Sequence, residues 1–328
     1  MPLATSSLIL QNTSLDLILL PLDANYGVPS RTVSFATLAL EQAQIIGDTS
    51  ISVLSSTANT PVFLRQGTSL SFSGNTAAPF RRQVIVNEDK VVGTSATTLS
   101  VTPLLRPLVF GSNPIGRAIV PFVSNHANLV IECNTSNGSP TITTTNSFAN
   151  VEVGDFVTGA GGAGIPANAY VVSKASNTSL TINANVTADG TGVNLTFISR
   201  ITPTPLTGIQ TLDLNNQETQ VDTTHFSSGA GTEAAIVRFN RSYSASGIAL
   251  IGDEALERIV KRVAGFDNAF LGREVYAVST TSDGESIHGV AKIMALNLPA
   301  NQNEVKKYSF TLMYQGSIYE WTAPYSNF

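Results

Sequence analysis

Near the end of the chain, Tyr308, Phe310, Leu312 and Tyr314 alternate with Lys307, Ser309, Thr311 and Met313. Period two marks a strand with one buried face. An earlier run, Ile287–Leu298, sets Val290, Met294, Leu296 and Leu298 on one face with Lys292. Pro299, Ala300 and the Asn and Gln residues after them cannot continue a ladder and predict a loop. Together the runs predict a long antiparallel ribbon over 287–319. Its backbone edge stays open unless the rest of the chain, or other copies, cover it.

The pattern changes period only once with conviction. Over 253–264, Leu256, Ile259, Val260 and Val263 recur at i, i+3, i+4 and i+7, the stripe of an amphipathic helix. Asp253 is placed to cap its start and Gly265 its end. Glu254–Arg258 and Glu257–Lys261 form i, i+4 pairs on the wet face. Strands are predicted around it at Gln217–Thr224, Ala235–Ser244 and Arg273–Thr280.

Further upstream the patterns shorten. Leu8–Leu10 and Leu15–Leu22 read as strands, and Phe35–Ile46 has partial helical spacing ended by Gly47. Over 47–117, strands are predicted from Gly47, from Gly67, at Gln83–Val86 and from Thr97, as in a small sandwich or barrel. Over 118–199 the strands are Leu129–Cys133, Thr141–Thr145, Val151–Thr158, Tyr170–Lys174, Ser179–Asn183 and Val193–Ile198. Asn137-Gly138, Gly159–Gly164 and Asp189-Gly190 punctuate them, and Pro203 and Pro205 mark the exit. The expected organisation is an N-terminal β region over 1–117 contributing to one domain with a C-terminal part over 201–328, and a β module over 118–200 inserted between them.

Composition agrees with an all-β chain. Only 12% of the 328 residues are charged, and Thr, Ser, Asn and Gly abound. The net charge of −5 gives no support to a sequence-reading DNA binder, which would carry a basic stripe. Residues 206–328 hold 13 of the 23 acids and 9 of the 18 bases. Cys133 is the one cysteine, so no intrachain disulfide forms, which fits an intracellular or virion setting. No apolar run reaches membrane-spanning length, and no basic residue precedes Arg31 as a secretory signal would require.

The order of these patterns resembles the tail tube, or major tail, proteins of long-tailed bacteriophages. The resemblance covers about 206–328. Thr207-Gly-Ile-Gln opens it, and Val221-Asp-Thr-Thr-His-Phe-Ser-Ser-Gly resembles the family's hairpin segment. Gly252-Asp-Glu-Ala-Leu-Glu-Arg-Ile resembles the start of its helix, and Gly284–Leu298 with Tyr308–Gly316 its terminal ribbon. Within 118–199, Gly154-Asp-Phe-Val-Thr-Gly, Gly164-Ile-Pro, Tyr170-Val-Val and Leu180-Thr-Ile are similar to small β modules of phage virion proteins. The long front half departs from compact tube proteins.

The resemblance implies a mainly β fold: a tail-tube β-barrel or sandwich with one flanking α-helix, plus an inserted small, Ig-like β-sandwich as a decoration. It implies subunits that form stacked hexameric rings, a conduit for genome ejection, in the virion after synthesis in the host cytoplasm. Implied partners are copies of the chain itself, a tape measure protein, a tail terminator, baseplate or tail-tip proteins and, in contractile tails, a sheath. Double-stranded DNA would pass without sequence-specific binding, and no membrane is involved. The polar faces of Glu274–Thr280 and Ile287–Leu298 are the candidates for the lumen, whose surface should be neutral or acidic.

Candidate chemistry is sparse. His225 sits among Asp222, Thr223, Thr224 and Ser227, a setting that capped turns share with hydrolases. His288 lies at a strand start, and His126 stands alone in a linker. No HxH or HxxxH spacing suggests zinc. Gly159–Gly164 lacks the Lys-Ser/Thr of a phosphate loop. Asp213-Leu-Asn-Asn lacks EF-hand spacing. Cys133 reads as a buried small hydrophobe. No catalytic, cofactor-binding or metal site is expected, and the chain is not read as an enzyme. The rival reading is a carbohydrate- or surface-binding β protein of the virion, an adhesin or fibre module, for which the neutral Thr/Asn/Ser strands of 118–199 would suit.

Overall fold

A computed structural model describes residues 14–21, 33–55, 61–73, 81–104, 116–159, 163–223, 234–267, 270–281, 286–299 and 305–320. The fold is mainly β, with one helix. Two units divide it: Met1–Leu20 with Thr204–Thr322, and Pro21–Pro203. Strand β1 (Ser14–Leu19) is therefore the one described strand before residue 200 that joins the C-terminal sheet. The sequence-based division, with 1–117 completing the C-terminal domain, differs here. The described strands between residues 34 and 198 find their partners within Pro21–Pro203.

That unit begins with β2 (Ser34–Leu40), β3 (Ser50–Ser55), β4 (Val62–Leu64), β5 (Ser69–Ser73), β6 (Arg81–Ile85), β7 (Lys90–Val92), β8 (Thr97–Ser100) and β9 (Arg117–Phe122). Six of them form the sheet β6-β5-β9-β2-β3-β8, and β4 pairs with β7. Their core includes Leu38, Val53, Leu64, Phe72 and Leu99. The helical spacing at Phe35–Ile46 does not hold. Ala36, Leu38 and Leu40 are all buried, a period of two, because β9 and β3 flank β2 and complete its ladders. A turn follows, in which the Ile45 N–H donates to Asp48 Oδ2 at 2.9 Å and Gly47 takes φ +92°.

The rest of the unit is β10 (Leu129–Thr135), β11 (Thr141–Thr143), β12 (Phe156–Gly159), β13 (Val171–Ser176), β14 (Ser179–Ile182) and β15 (Gly190–Ile198). Two three-stranded ladders, β12-β15-β10 and β11-β14-β13, join through Asn134↔Thr143 and meet again at the Phe156↔Tyr170 bridge. They enclose Cys133, Ile142, Phe148, Val171, Leu180, Leu195 and Phe197. The strand expected over Val151–Thr158 is shortened to β12. Its first part is a turn, where the Asp155 carboxylate accepts the Glu152 N–H at 2.7 Å.

This sandwich is not isolated within its unit. Arg200 donates to the Pro61 carbonyl at 3.1 Å and lies over the rings of Phe122 and Phe156. Phe63 packs on Tyr170, with ring centroids 5.1 Å apart. At Gly93 a Cβ would come within 2.4 Å of the Asn168 side chain.

The other unit adds β16 (Thr204–Pro205), β17 (Ile209–Asp222), β18 (Ala234–Ile248), helix α1 (254–266), β19 (Val275–Thr280), β20 (Ser286–Asn297) and β21 (Lys307–Glu320). Its seven-stranded sheet runs β16-β1-β19-β20-β21-β18-β17. Leu17 and Thr204 are antiparallel partners, so the Pro21–Pro203 unit leaves and rejoins this sheet at neighbouring positions, as the turn of a hairpin would.

Leu256, Ile259, Val260 and Val263 of α1 pack on Leu15, Leu17, Val275, Ala277, Tyr308, Phe310 and Leu312. The helix stands where 253–264 predicts it, with both i, i+4 ion pairs formed. Its turns are wider than α-helical over Ala255–Val260 and Arg262–Phe266, and Gly265 at φ +115° bends its end.

In the ribbon, Tyr308, Phe310, Leu312 and Tyr314 are buried together, as their alternation predicts. The expected single face of Val290, Met294, Leu296 and Leu298 is broken. A bulge between Met294 and Asn297, with Ala295 at φ +53°, inserts an extra residue. The inward phase passes from Ile287, Ala291 and Ile293 to Leu296 and Leu298.

Candidate assembly surface

The described surface is organised by the two faces and one long edge of the seven-stranded sheet. One face is the core just described. Asp253 ties it to the helix. Its Oδ1 accepts the Leu256 N–H at 3.0 Å, capping α1. Its Oδ2 accepts the Thr207 N–H at 2.9 Å and the Thr207 hydroxyl at 2.7 Å. The Tyr308 hydroxyl donates to the Thr207 carbonyl at 3.2 Å. Tyr308 also explains Gly247. A Cβ there would lie 2.2 Å from the Gly208 carbonyl oxygen and 2.8 Å from the Tyr308 hydroxyl. The motif Thr207-Gly-Ile-Gln thus fixes the point from which β17 departs.

The opposite face is polar across four strands. Registers Asp213↔Ser244↔Thr311↔Met294 and Thr211↔Ser246↔Ser309 put these side chains on one side. Lys292 and Lys307 share that side with Asp213, while Asp16 of β1 is buried. The strand Val275–Thr280, expected to offer a polar lumen face, is buried on both sides. The exposed polar face belongs instead to β17, β18, β20 and β21.

The edge is β17. Thirteen of its backbone positions pair with β18, and no described strand lies on its other side. β18 pairs with β21 only over Ser242–Ile248. Residues 216–222 and 234–241 therefore run on as a two-stranded arm. Val221 and Ile236 are exposed along it, each at 48%, and Leu214 just before it at 44%. A free two-stranded ribbon is marginal in water, and an exposed edge invites another strand. The sequence placed β17 at Gln217–Thr224. The sequence does not show its start at Ile209, because beyond Ile209 and Leu212, which are half-buried against the core, the strand has no apolar alternation.

Neither described histidine builds a catalytic centre. His288 is buried, and its Nδ1 meets the Tyr276 hydroxyl. Burial pushes its pKa down to about 4, so the ring is neutral at ordinary pH. His126 is not alone in a linker. Its Nε2 lies 2.9 Å from Asp155 Oδ2 and its Nδ1 2.7 Å from the Ala127 carbonyl oxygen. Asp155 is distant in sequence, which is why the pairing was not legible. Both ring nitrogens are occupied, leaving none to activate a nucleophile. His225, with Thr224 and Ser227, lies outside the described residues, as do 160–162 of the Gly-rich stretch, Leu8–Leu10 and the ribbon's connection at 300–304.

Cys133 is buried, and burial with the nearby Glu132 charge pushes its thiol up to about 12. Among the described residues, no three or more His, Cys, Asp or Glu side chains could hold a metal ion. No described helix is long and apolar enough to cross a membrane. The aromatics of 118–199 make no sugar platform: Phe148, Phe156 and Phe197 are buried, and Tyr170 packs on Phe63.

No protein-family model matches the chain, and no curated protein sequence matches it. Solved structures do. A chain in the tail of an empty gene transfer agent (GTA) particle, refined helically with C6 symmetry, is 17% identical. It covers 37% of this chain and 86% of its own, with a TM-score of 0.31. A chain in the virion of the native GTA particle is also 17% identical. It covers 38% of this chain and 88% of its own, with a TM-score of 0.30.

Proposed function

We propose that this chain is a structural, non-enzymatic subunit of a phage-type virion, and within it the subunit of a tail tube. The observation that carries the reading is the long exposed edge strand β17 with its arm. Fourteen residues of strand without an outer neighbour are an aggregation hazard in a monomer, and closed assembly removes it. On this reading copies close into hexameric rings through sheet edges, and the rings stack. The Ser- and Thr-rich face of β17, β18, β20 and β21 lines the bore for DNA in transit. The Pro21–Pro203 unit is carried as a decoration. Tape measure, terminator and baseplate or tail-tip proteins are its partners in the virion, with a sheath where the tail is contractile.

Negative-stain microscopy of the purified chain tests this directly. Six-fold rings or tubes are expected. Leu214→Lys with Val221→Lys, both on the exposed edge, should abolish rings while leaving the thermal melt within about 1 kcal/mol of the parent. A parent that stays monomeric at high concentration, or a double variant that still forms rings, overturns the reading.

A further inference from the structure

The sandwich of 129–198 is entered and left through a neck of paired segments, beside the Phe63–Tyr170 contact already described. Val123 and Ile201 exchange backbone hydrogen bonds at 3.0 and 2.8 Å. Ser124 Oγ donates to the Ser199 carbonyl at 2.9 Å, and the Asn125 N–H to Ser199 Oγ at 3.1 Å. Asn125 Nδ2 then donates to Glu152 Oε2 at 2.8 Å. His126 follows. It bridges this incoming segment to Asp155, the residue before β12.

The Ala127 carbonyl can only accept, and so can the Asp155 carboxylate. Both ring nitrogens must therefore donate, and the geometry suits an imidazolium. A neutral ring has one N–H. One acceptor would then face a nitrogen lone pair, and the Asp155 carboxylate, 2% exposed, would lose its opposite charge. Of the charged groups on the packed elements, Asp155 and Glu152 act on the ring. Lys174 is held by the carbonyls of Phe148, Ala149 and Val151, and Arg200 lies over the rings of Phe122 and Phe156.

We propose that His126 is a pH-responsive latch on this neck, closed while the ring carries both protons and opened when it releases one to solvent. Burial opposes the charge. The Ala127 and Asp155 hydrogen bonds and the charges of Asp155 and Glu152 outweigh it, so the pKa is raised above 6.5. A folded value above the unfolded one means that the latch is fully closed below 6.5 and weakens as pH rises through the folded value. The corner between the neck and Asp155 is thus held closed in mild acid and opens more readily in mild alkali, while the Phe63–Tyr170 contact stays in place.

The test uses the full chain. Hydrogen exchange of peptides spanning 123–128 and 150–157, corrected for intrinsic rates, is compared at about pH 6 and about pH 9, while histidine NMR follows the ring through the range. The opening constant should rise about tenfold for each pKa unit separating the closed and open ring. His126→Gln should exchange at pH 6 as the parent does at high pH, without pH dependence. Asp155→Asn keeps an oxygen acceptor but removes the charge, and should move the midpoint to lower pH. Neck exchange in the parent that is flat across this range, or a pH dependence that survives in His126→Gln, overturns the proposal.

Discussion

Because Leu17 faces Thr204 across β1 and β16, the whole of Pro21–Pro203 can be cut out where a hairpin turn belongs. The perturbation is a chain in which Leu20 runs through a turn of about four residues into Thr204. All seven strands of the sheet and α1 are retained, as are the Leu20 N–H to Glu274 carbonyl bond at 3.1 Å and the Arg273 bond to the Leu20 carbonyl at 2.7 Å. Contact between β1 and α1 or β19 is also retained, through Leu15 and Leu17. Shrinking a closure of roughly 190 residues to about seven lowers its entropic cost by at most about 3 kcal/mol. The true gain is smaller, since a folded insert already holds its own ends. The shortened protein should therefore melt at or above the temperature of the corresponding transition in the full chain. Differential scanning calorimetry with gel filtration measures this, and microscopy then asks whether rings form. A shortened protein that is unfolded, or that melts well below the parent transition, would refute the hairpin-insertion reasoning. The narrower cut at 125–200 should do worse. It removes Arg200 and Tyr170 and strips their contacts from Phe63 and Phe122.

Three further outcomes are expected. Ile259→Asp buries a charge in the core under α1 and should cost at least about 3 kcal/mol, whereas Arg258→Asp, on the wet face, should cost no more than about 1 kcal/mol; equal melts for parent and Ile259→Asp would remove the helix from the core. Protonating His288 should destabilise the C-terminal unit in acid. Its pKa is pushed from 6.5 down to about 4, so stability is full above about pH 6.5 and falls by about 3 kcal/mol as the pH drops toward 4; a His288→Gln variant should lose that slope, and an unchanged slope would show that another group carries it. Assembled tubes should not retain duplex DNA at low salt, because on the described polar face Lys292 lies opposite Met313, six residues along β21 from Lys307, and the two do not cluster; retention that added salt reverses would contradict a passive bore.

The elements whose pattern has one buried face were legible in advance. Tyr308 to Tyr314 alternate because one side of β21 meets the helix, and Leu256 to Val263 recur every three to four residues for the same reason. Asp253 and the ion pairs of α1 are local chemistry, and local spacing predicts them. Three things were decided only by tertiary structure. Ala36, Leu38 and Leu40 became a strand because β3 and β9 were there to pair with it, which no local propensity encodes. The bulge at Ala295 exchanged the two faces of β20, since one added residue shifts a period-two pattern by half. Asp155 reached His126, and β1 reached β19, across distances in sequence that only folding closes. The division at Pro21 and Pro203 is of the same kind. The charge rises after residue 206, but β-rich chain lies on both sides of each boundary, so the division is carried by which strands share hydrogen bonds.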